Sequence, residues 1–415
     1  MLNYITVFII ACIVSGYYFT VSFTFLPLSI NSKIIIAGLG GILFILDRLN
    51  NKVFDVSKGI LFSAIIAILF SIACLFSVDY NATSDYSYAS YITSYLIWLM
   101  GAYGIYSIIK KKHGTFNIPI LTSYLAGICV FQCIIAMLID KNSSVKRVVD
   151  SIFYTNNDFY EGINRIYGIG AALDPAGVRF AVVLILIAFV LSVENQIKSS
   201  NKAVWFYMLS FIIISVIGNI ISRTTTTGIL LAFVVFIGYS KVYQFIIKRN
   251  NVRMYGIFIL IILIIIPVLQ YLYNTDTYYY NQLRFAFEGF FNWVEKGKWE
   301  TGSTEKLNSV MWIWPQTTKG WIIGTGLFDG WVYSTDIGYC RFILYCGLVG
   351  FSLFVSMFIY LTMYLWMYIR PYKYLFVLLF ILGLIVWIKV STDLFFVFAL
   401  FLWMEESYKP KALKE

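Results

Sequence analysis

"STDIGYCRFILYCGLVGFSLFVSMFIYLTMYLWMY", residues 334–368, decides the fold. After Asp336 and Arg341, no charged side chain interrupts it as far as Tyr368. An apolar run needs only about 20 residues to cross the hydrocarbon core of a bilayer as a helix. This stretch therefore reads as a membrane span. Its two charges sit at the mouth, and charges in hydrocarbon are costly.

Similar runs recur along all 415 residues. About twelve spans are expected, near 4–24, 30–46, 59–78, 91–109, 118–139, 177–193, 203–221, 226–240, 254–273, 337–368, 374–389 and 392–404. The second and last are the shortest and weakest. Sixty per cent of residues are hydrophobic and 19% aromatic, and mean hydropathy is +0.79. A soluble chain of this size needs a polar surface that this composition does not supply. The expected fold class is an all-α polytopic membrane protein, with residues 1–415 forming a single integral membrane domain. The opening "MLNYITVFIIACIVSGYYF" has no charged n-region and no small-residue cleavage site, so it reads as the first span.

The formal net charge of +10 follows from topology. Arg48, Lys52 and Lys58, Lys110 to Lys112, Lys198 and Lys202, Lys241 to Arg253, Arg370 and Lys373 fall in one set of loops, joined by the tail lysines. The short loops on the other side hold only Lys33, Arg223 and Lys389. Both termini are thus expected in the cytoplasm. No nucleic-acid partner is needed to explain the charge. The six cysteines lie in or beside apolar runs, and the one histidine, His113, follows a lysine run, so neither a disulfide framework nor a metal site is expected.

Two longer segments fall on the outer side, 140–176 and 274–336. In the second, residues 283–294 (LRFAFEGFFNWV) predict an amphipathic helix in the headgroup region. Ser303 predicts the cap of a short helix running to Pro315. Glycines 320, 324, 326 and 330 predict a broken chain before the next span. No internal repeat, nucleotide-binding loop or independent soluble domain is apparent.

The informative residues are charges that topology leaves unexplained: Arg165, Arg179, Arg223, Arg284 and Arg341, with Asp174, Glu288 and Asp336 as acids. Arg223 lies in "GNIISRTTTTGILLAF" (218–233), a tight turn followed by four threonines. An arginine beside a helix amino terminus suits a phosphate-like anion; the plainer account is a snorkelling side chain. "NRIYGIGAALDPAGVRF" (164–180) reads either as a re-entrant loop lining a polar cavity or as an ordinary Asp-Pro turn. Asp336 reads as a helix cap or as a chemical group, whereas Arg341, deeper in, requires a partner, water or an anion. Asp79, Asp85 and the tyrosines of "VDYNATSDYSYASY" (78–91) read as an interfacial belt, with sugar contacts as the functional alternative. The tryptophans of 274–336 are open to the same two readings.

The order of "NRIYGIGAALDPAGVRFAVVL" (164–184), "ISRTTTTGILLAF" (221–233), "WIIGTGL" (321–327) and "STDIGYCRFILYCGLVG" (334–350) resembles the O-antigen polymerase (Wzy) and O-antigen ligase superfamily. The resemblance covers roughly residues 160–355. It implies a membrane-embedded glycosyltransferase of the GT-C type in a bacterial inner membrane, acting on undecaprenyl-diphosphate-linked glycans at the periplasmic face without nucleotide sugar, metal or other cofactor. It implies donor-diphosphate binding by Arg223, with Arg165, Arg179, Arg284 and Arg341 as further candidates. Arg223 and Arg341 are thus the expected catalytic cations, and Arg165, Arg179, Asp174, Arg284 and Tyr339 the expected substrate contacts. Ligases of the family carry a histidine where this chain has "STDIGY". That departure favours a polymerase and makes Asp336 the expected base for the acceptor hydroxyl. Expected partners are lipid-linked donor and acceptor, membrane lipid and a chain-length regulator. A ligase, a lipid-linked oligosaccharide flippase and a structural partner of an assembly machine remain the competing classes.

Overall fold

The computed structural model describes residues 2–51, 56–155, 165–240, 249–329 and 332–408. Its regular elements are helical, with isolated bridges at Ser22–Asn31 and Phe23–Phe153. In chain order they begin with α1 (Leu2–Tyr18), α2 (Ser32–Asn51), α3 (Lys58–Tyr80), α4 (Tyr91–His113), α5 (Ile118–Lys141) and α6 (Ser143–Ile152). Then come α7 (Leu173–Val193), α8 (Asn195–Ser199), α9 (Asn201–Ile221), α10 (Thr225–Ser240), α11 (Arg249–Thr275), α12 (Thr277–Ala286) and α13 (Glu288–Lys296). The chain ends with α14 (Gly302–Val310), α15 (Thr318–Ile322), α16 (Gly338–Tyr368), α17 (Lys373–Val386), α18 (Phe395–Leu402) and α19 (Glu405–Tyr408).

Among the described residues, seven helices are long and apolar enough to cross a membrane: α3, α4, α5, α7, α9, α16 and the Tyr255–Thr275 part of α11. The chain is a polytopic membrane protein. Helices α1, α2, α10, α17 and α18 overlap the other five stretches where spans are expected, and none of them is both long and apolar enough by that measure. Helices α17 and α18 have 14 and 8 residues, short of the ~20 that cross a bilayer unaided.

The chain forms two compact units, Met1–Ser32 with Phe116–Thr301 and Lys33–Thr115 with Gly302–Glu415. In the first, α7 is the centre: every residue from Phe180 to Leu191 is buried, so a helix apolar on all sides is enclosed by protein. Close approach to α10 depends on a missing side chain, since a Cβ at Gly228 would lie 2.3 Å from the Ala181 Cα. Helix α11 turns Ile259, Leu263, Ile264 and Ile266 outward, as a lipid-facing surface does. In the second unit, α16 packs on α3 and α17 around an aromatic core. Phe354 lies 4.8 Å from both Phe70 and Phe342, and 5.5 Å from Trp387, between ring centroids.

Three expected helices are revised. Residues 283–294 are not one helix: the chain breaks at Phe287 (φ −115°, ψ 29°), ending α12 and starting α13 with Glu288 in its first turn. The helix expected from Ser303 to Pro315 begins at Gly302 and ends at Val310. There Met311 is buried against Leu307, Ile337, Cys340 and Leu344, and its carbonyl accepts the Thr335 hydroxyl at 2.6 Å. The 337–368 span is interrupted at Gly347 (φ 62°, ψ −175°). The break frees two carbonyls, which the 321–327 segment then satisfies. Thr325 N–H donates to the Leu344 carbonyl at 2.7 Å and Gly326 N–H to the Tyr345 carbonyl at 3.0 Å. Of the four expected chain-breaking glycines, Gly320 lies inside α15 and Gly330 falls outside the described residues.

Candidate functional site

In the first unit, the site is built around the turn between α9 and α10. Asp174, in the first turn of α7, accepts hydrogen bonds from the Thr224 hydroxyl at 2.6 Å and the Ser222 hydroxyl at 3.1 Å. Proline 175 belongs to that same first helical turn, so the Asp-Pro pair starts a helix. The remaining threonines donate inward: Thr225 to the Gly218 carbonyl, Thr226 to the Asn219 side chain and Thr227 to the Thr224 carbonyl. Those hydroxyls fix the turn, and Arg223 is the residue between Ser222 and Thr224 that this fixing orients.

Arg223 pairs with Glu288 through Nη1 and Oε2. Its guanidinium carbon lies 4.5 Å from the centroid of Phe285, over the ring. Arg165 lies over the same ring, at 3.9 Å. Two cations from segments far apart in sequence thus share one aromatic platform, an arrangement whose attraction grows as water is removed. The Arg165 guanidinium is held below its ordinary pKa, first by burial and then by the neighbouring Arg223 charge, with Asp174 and Glu288 opposing. Like charges kept this close favour an anion between or beside them. Arg165, Asp174, Arg223 and Glu288 are the predicted residues that this unit brings together.

Arg179 and Arg284 have other partners. Arg179 donates through Nε to the Tyr18 carbonyl and through Nη1 to the Pro175 carbonyl at 2.9 Å, while Tyr18 Oη donates to the Arg179 carbonyl at 2.8 Å. The two bonds with Tyr18 join α1 to α7. Arg284 makes a two-pronged pair with Glu295 and lies 4.7 Å over Phe291. That pairing holds the Glu295 carboxyl below its usual range.

In the second unit, Arg341 is half-buried. It donates to the Phe328 carbonyl at 2.7 Å and to the Ser391 hydroxyl at 3.2 Å, and lies 3.9 Å over the Phe328 ring. Asp336 is exposed, and no hydrogen bond to it occurs among the described residues. The helix-cap reading of Asp336 is corrected: α16 has Ile337 at its N-cap with no side-chain cap, and the Thr335 hydroxyl accepts from Ile337 N–H at 3.2 Å. Tyr339 donates to the Leu384 carbonyl at 2.8 Å, joining α16 to α17.

Sequence reasoning passed over Phe285, and it read Asp85 as part of an interfacial belt. Asp85 accepts from the backbone N–H groups of Phe328 and Asp329, the latter at 2.6 Å, and from Ser87. Burial raises its pKa; the Ser87 hydroxyl and the three backbone donors outweigh that and hold the carboxyl below the usual range. The Asp-x-Ser spacing was the available signal, since an aspartate commonly accepts from the residue two positions on. Among the described residues, no group of three His, Cys, Asp or Glu side chains could hold a metal ion. Comparison of the chain with protein-family models, curated proteins and solved structures yields no match.

Proposed function

We propose that this chain is a polysaccharide polymerase: a twelve-span glycosyltransferase of the GT-C type in a bacterial cytoplasmic membrane. It moves a growing glycan from undecaprenyl diphosphate to a lipid-linked repeat unit on the periplasmic face, and both its termini are cytoplasmic. The observation that carries the reading is the pair Arg165 and Arg223 over Phe285, with Glu288 as the resting partner of Arg223.

In this reading the donor diphosphate displaces Glu288 and is held by both guanidiniums. The acceptor hydroxyl oxygen attacks the anomeric carbon, with inversion. The new glycosidic bond forms as the bond from that carbon to the diphosphate oxygen breaks, and the electron pair leaves with undecaprenyl diphosphate. A carboxylate takes the hydroxyl proton. Negative charge grows on the departing diphosphate, where fixed cations in a poorly solvated site lower the barrier most.

Reconstitution with purified lipid-linked repeat units tests this. Products longer than one repeat are expected. Relocation across the bilayer without elongation would mark a flippase, and transfer only to lipid A core would mark a ligase; either result overturns the proposal.

A further inference from the structure

The second unit contains a cavity of about 550 Å³ at the end of α4 that carries Lys110 and Lys111. That volume lies within the range of small-molecule sites, roughly 300–1,000 Å³. Arg48, Lys110 and Lys111 supply its positive charge, and Asp47 and Glu405 its negative charge. Both acids are engaged by tyrosines. Asp47 accepts from Tyr103 Oη at 2.5 Å and Glu405 from Tyr364 Oη at 2.7 Å. Arg48 is less completely answered. It lies 5.1 Å over the Phe44 ring, but its Nε is buried with no hydrogen-bond partner among the described residues. Lys110 donates to Tyr106 Oη at 2.5 Å, and Lys111 is exposed.

The plain account of the lysines is topology together with the negative end of the α4 dipole. It does not explain a donor buried without an acceptor, because such a group ordinarily finds a partner. Nor does it explain an open cavity walled by buried Tyr103, Tyr106 and Trp403. We infer that this cavity binds a phosphate-bearing anion, with the Arg48 guanidinium and the two lysines as its donors. A guanidinium matches phosphate oxygens in geometry, and lysines add point charge. Basic pockets between membrane helices suit lipid phosphates in the same way. The phosphate belongs either to an anionic lipid headgroup or to a soluble ion. This site draws on nothing in the diphosphate reading of the first unit and can fail or stand separately.

The test uses the purified full-length protein. Native mass spectrometry counts retained phosphatidylglycerol against phosphatidylcholine for the wild type, Arg48→Gln, Arg48→Lys and Lys111→Gln. A parallel titration with inorganic phosphate follows the melting temperature. If the source is lipid, phosphatidylglycerol is retained at least tenfold over phosphatidylcholine, Arg48→Lys keeps most of that preference, and Arg48→Gln or Lys111→Gln loses it. If the source is a soluble ion, phosphate raises the melting temperature of the wild type by several degrees more than that of Arg48→Gln or Lys111→Gln. Lys111 is exposed, so its substitution leaves folding intact even where Arg48→Gln does not. Lipid retention and phosphate response that are both unchanged in Arg48→Gln and Lys111→Gln overturn the site.

Discussion

Arg223 and Glu288 form an ion pair that ties the turn between α9 and α10 to the first turn of α13. The side chains are 14% and 33% exposed. Breaking a fully buried pair costs about 3–5 kcal/mol, and an exposed pair contributes about 0–1 kcal/mol. Arg223→Ala is therefore expected to lose about 1–3 kcal/mol of stability, after allowing for solvent screening of Glu288. The double variant Arg223→Ala/Glu288→Ala recovers part of that loss, because no carboxylate is left unanswered. Melting temperatures of the four members of this cycle in one detergent check the coupling; strictly additive losses would contradict it.

Phe285 is the platform for two guanidiniums, and each contact is worth about 0.5–2 kcal/mol. Phe285→Ala should lower glycan elongation by roughly tenfold to several-hundredfold. Phe285→Tyr keeps a ring face and should stay within a few-fold of the wild type. Chain-length profiles of glycan from cells carrying each variant make the comparison. A Phe285→Ala profile equal to the wild type would remove the ring from the site.

The interruption of α16 depends on Gly347. Its φ of 62° suits glycine, and a Cβ there would meet the Ile322 carbonyl oxygen at 2.2 Å. Gly347→Ala should cost at least about 2 kcal/mol, through strain and loss of the bonds from Thr325 and Gly326. Thermal unfolding of the variant measures this, and a melting temperature within a degree of the wild type would contradict it.

The last two cases show what the sequence made legible. Apolar runs give helix positions directly, because hydropathy and length are local properties, and the apolar helices fall where the runs lie. The breaks at Phe287 and Gly347 were not legible; at Gly347 the freed carbonyls are answered by Thr325 and Gly326, from outside the span. The glycines of "WIIGTGL" and "YCGLVG" stood out as separate motifs, but they serve one another, the first segment's N–H groups answering the second's freed carbonyls. For the site, the turn at Arg223 and the Asp174 segment were recognisable as polar interruptions. Phe285 was not, since a phenylalanine in an aromatic-rich loop carries no mark of the two arginines it receives. For Asp85 the bonds from Ser87 were legible in the Asp-x-Ser spacing, but the Phe328 and Asp329 donors lie more than two hundred residues away.

Asp85 makes a pH-dependent clasp between the α3–α4 loop and residues 328–329. Its folded pKa is depressed, so its contribution is present above the unfolded carboxylate pKa of roughly 4 and is lost as pH falls through the lower folded value. Asp85→Asn should destabilise the protein by about 1–2 kcal/mol at pH 7, a charged acceptor's share reduced for partial exposure. That difference from the wild type should shrink below pH 4. Unfolding midpoints of both proteins between pH 3 and 7 test the sign; a gap that widens on acidification would contradict it.

The proposed function rests on Arg165 and Arg223 acting together on a diphosphate. Its most direct test is the affinity of the purified protein for a short-chain prenyl diphosphate, measured by calorimetry for the wild type and for Arg165→Gln/Arg223→Gln. Each cation lost should weaken binding by about tenfold or more, so the double variant is expected to bind at least ~100-fold more weakly. Equal affinity in a double variant that is folded and monodisperse would contradict the account.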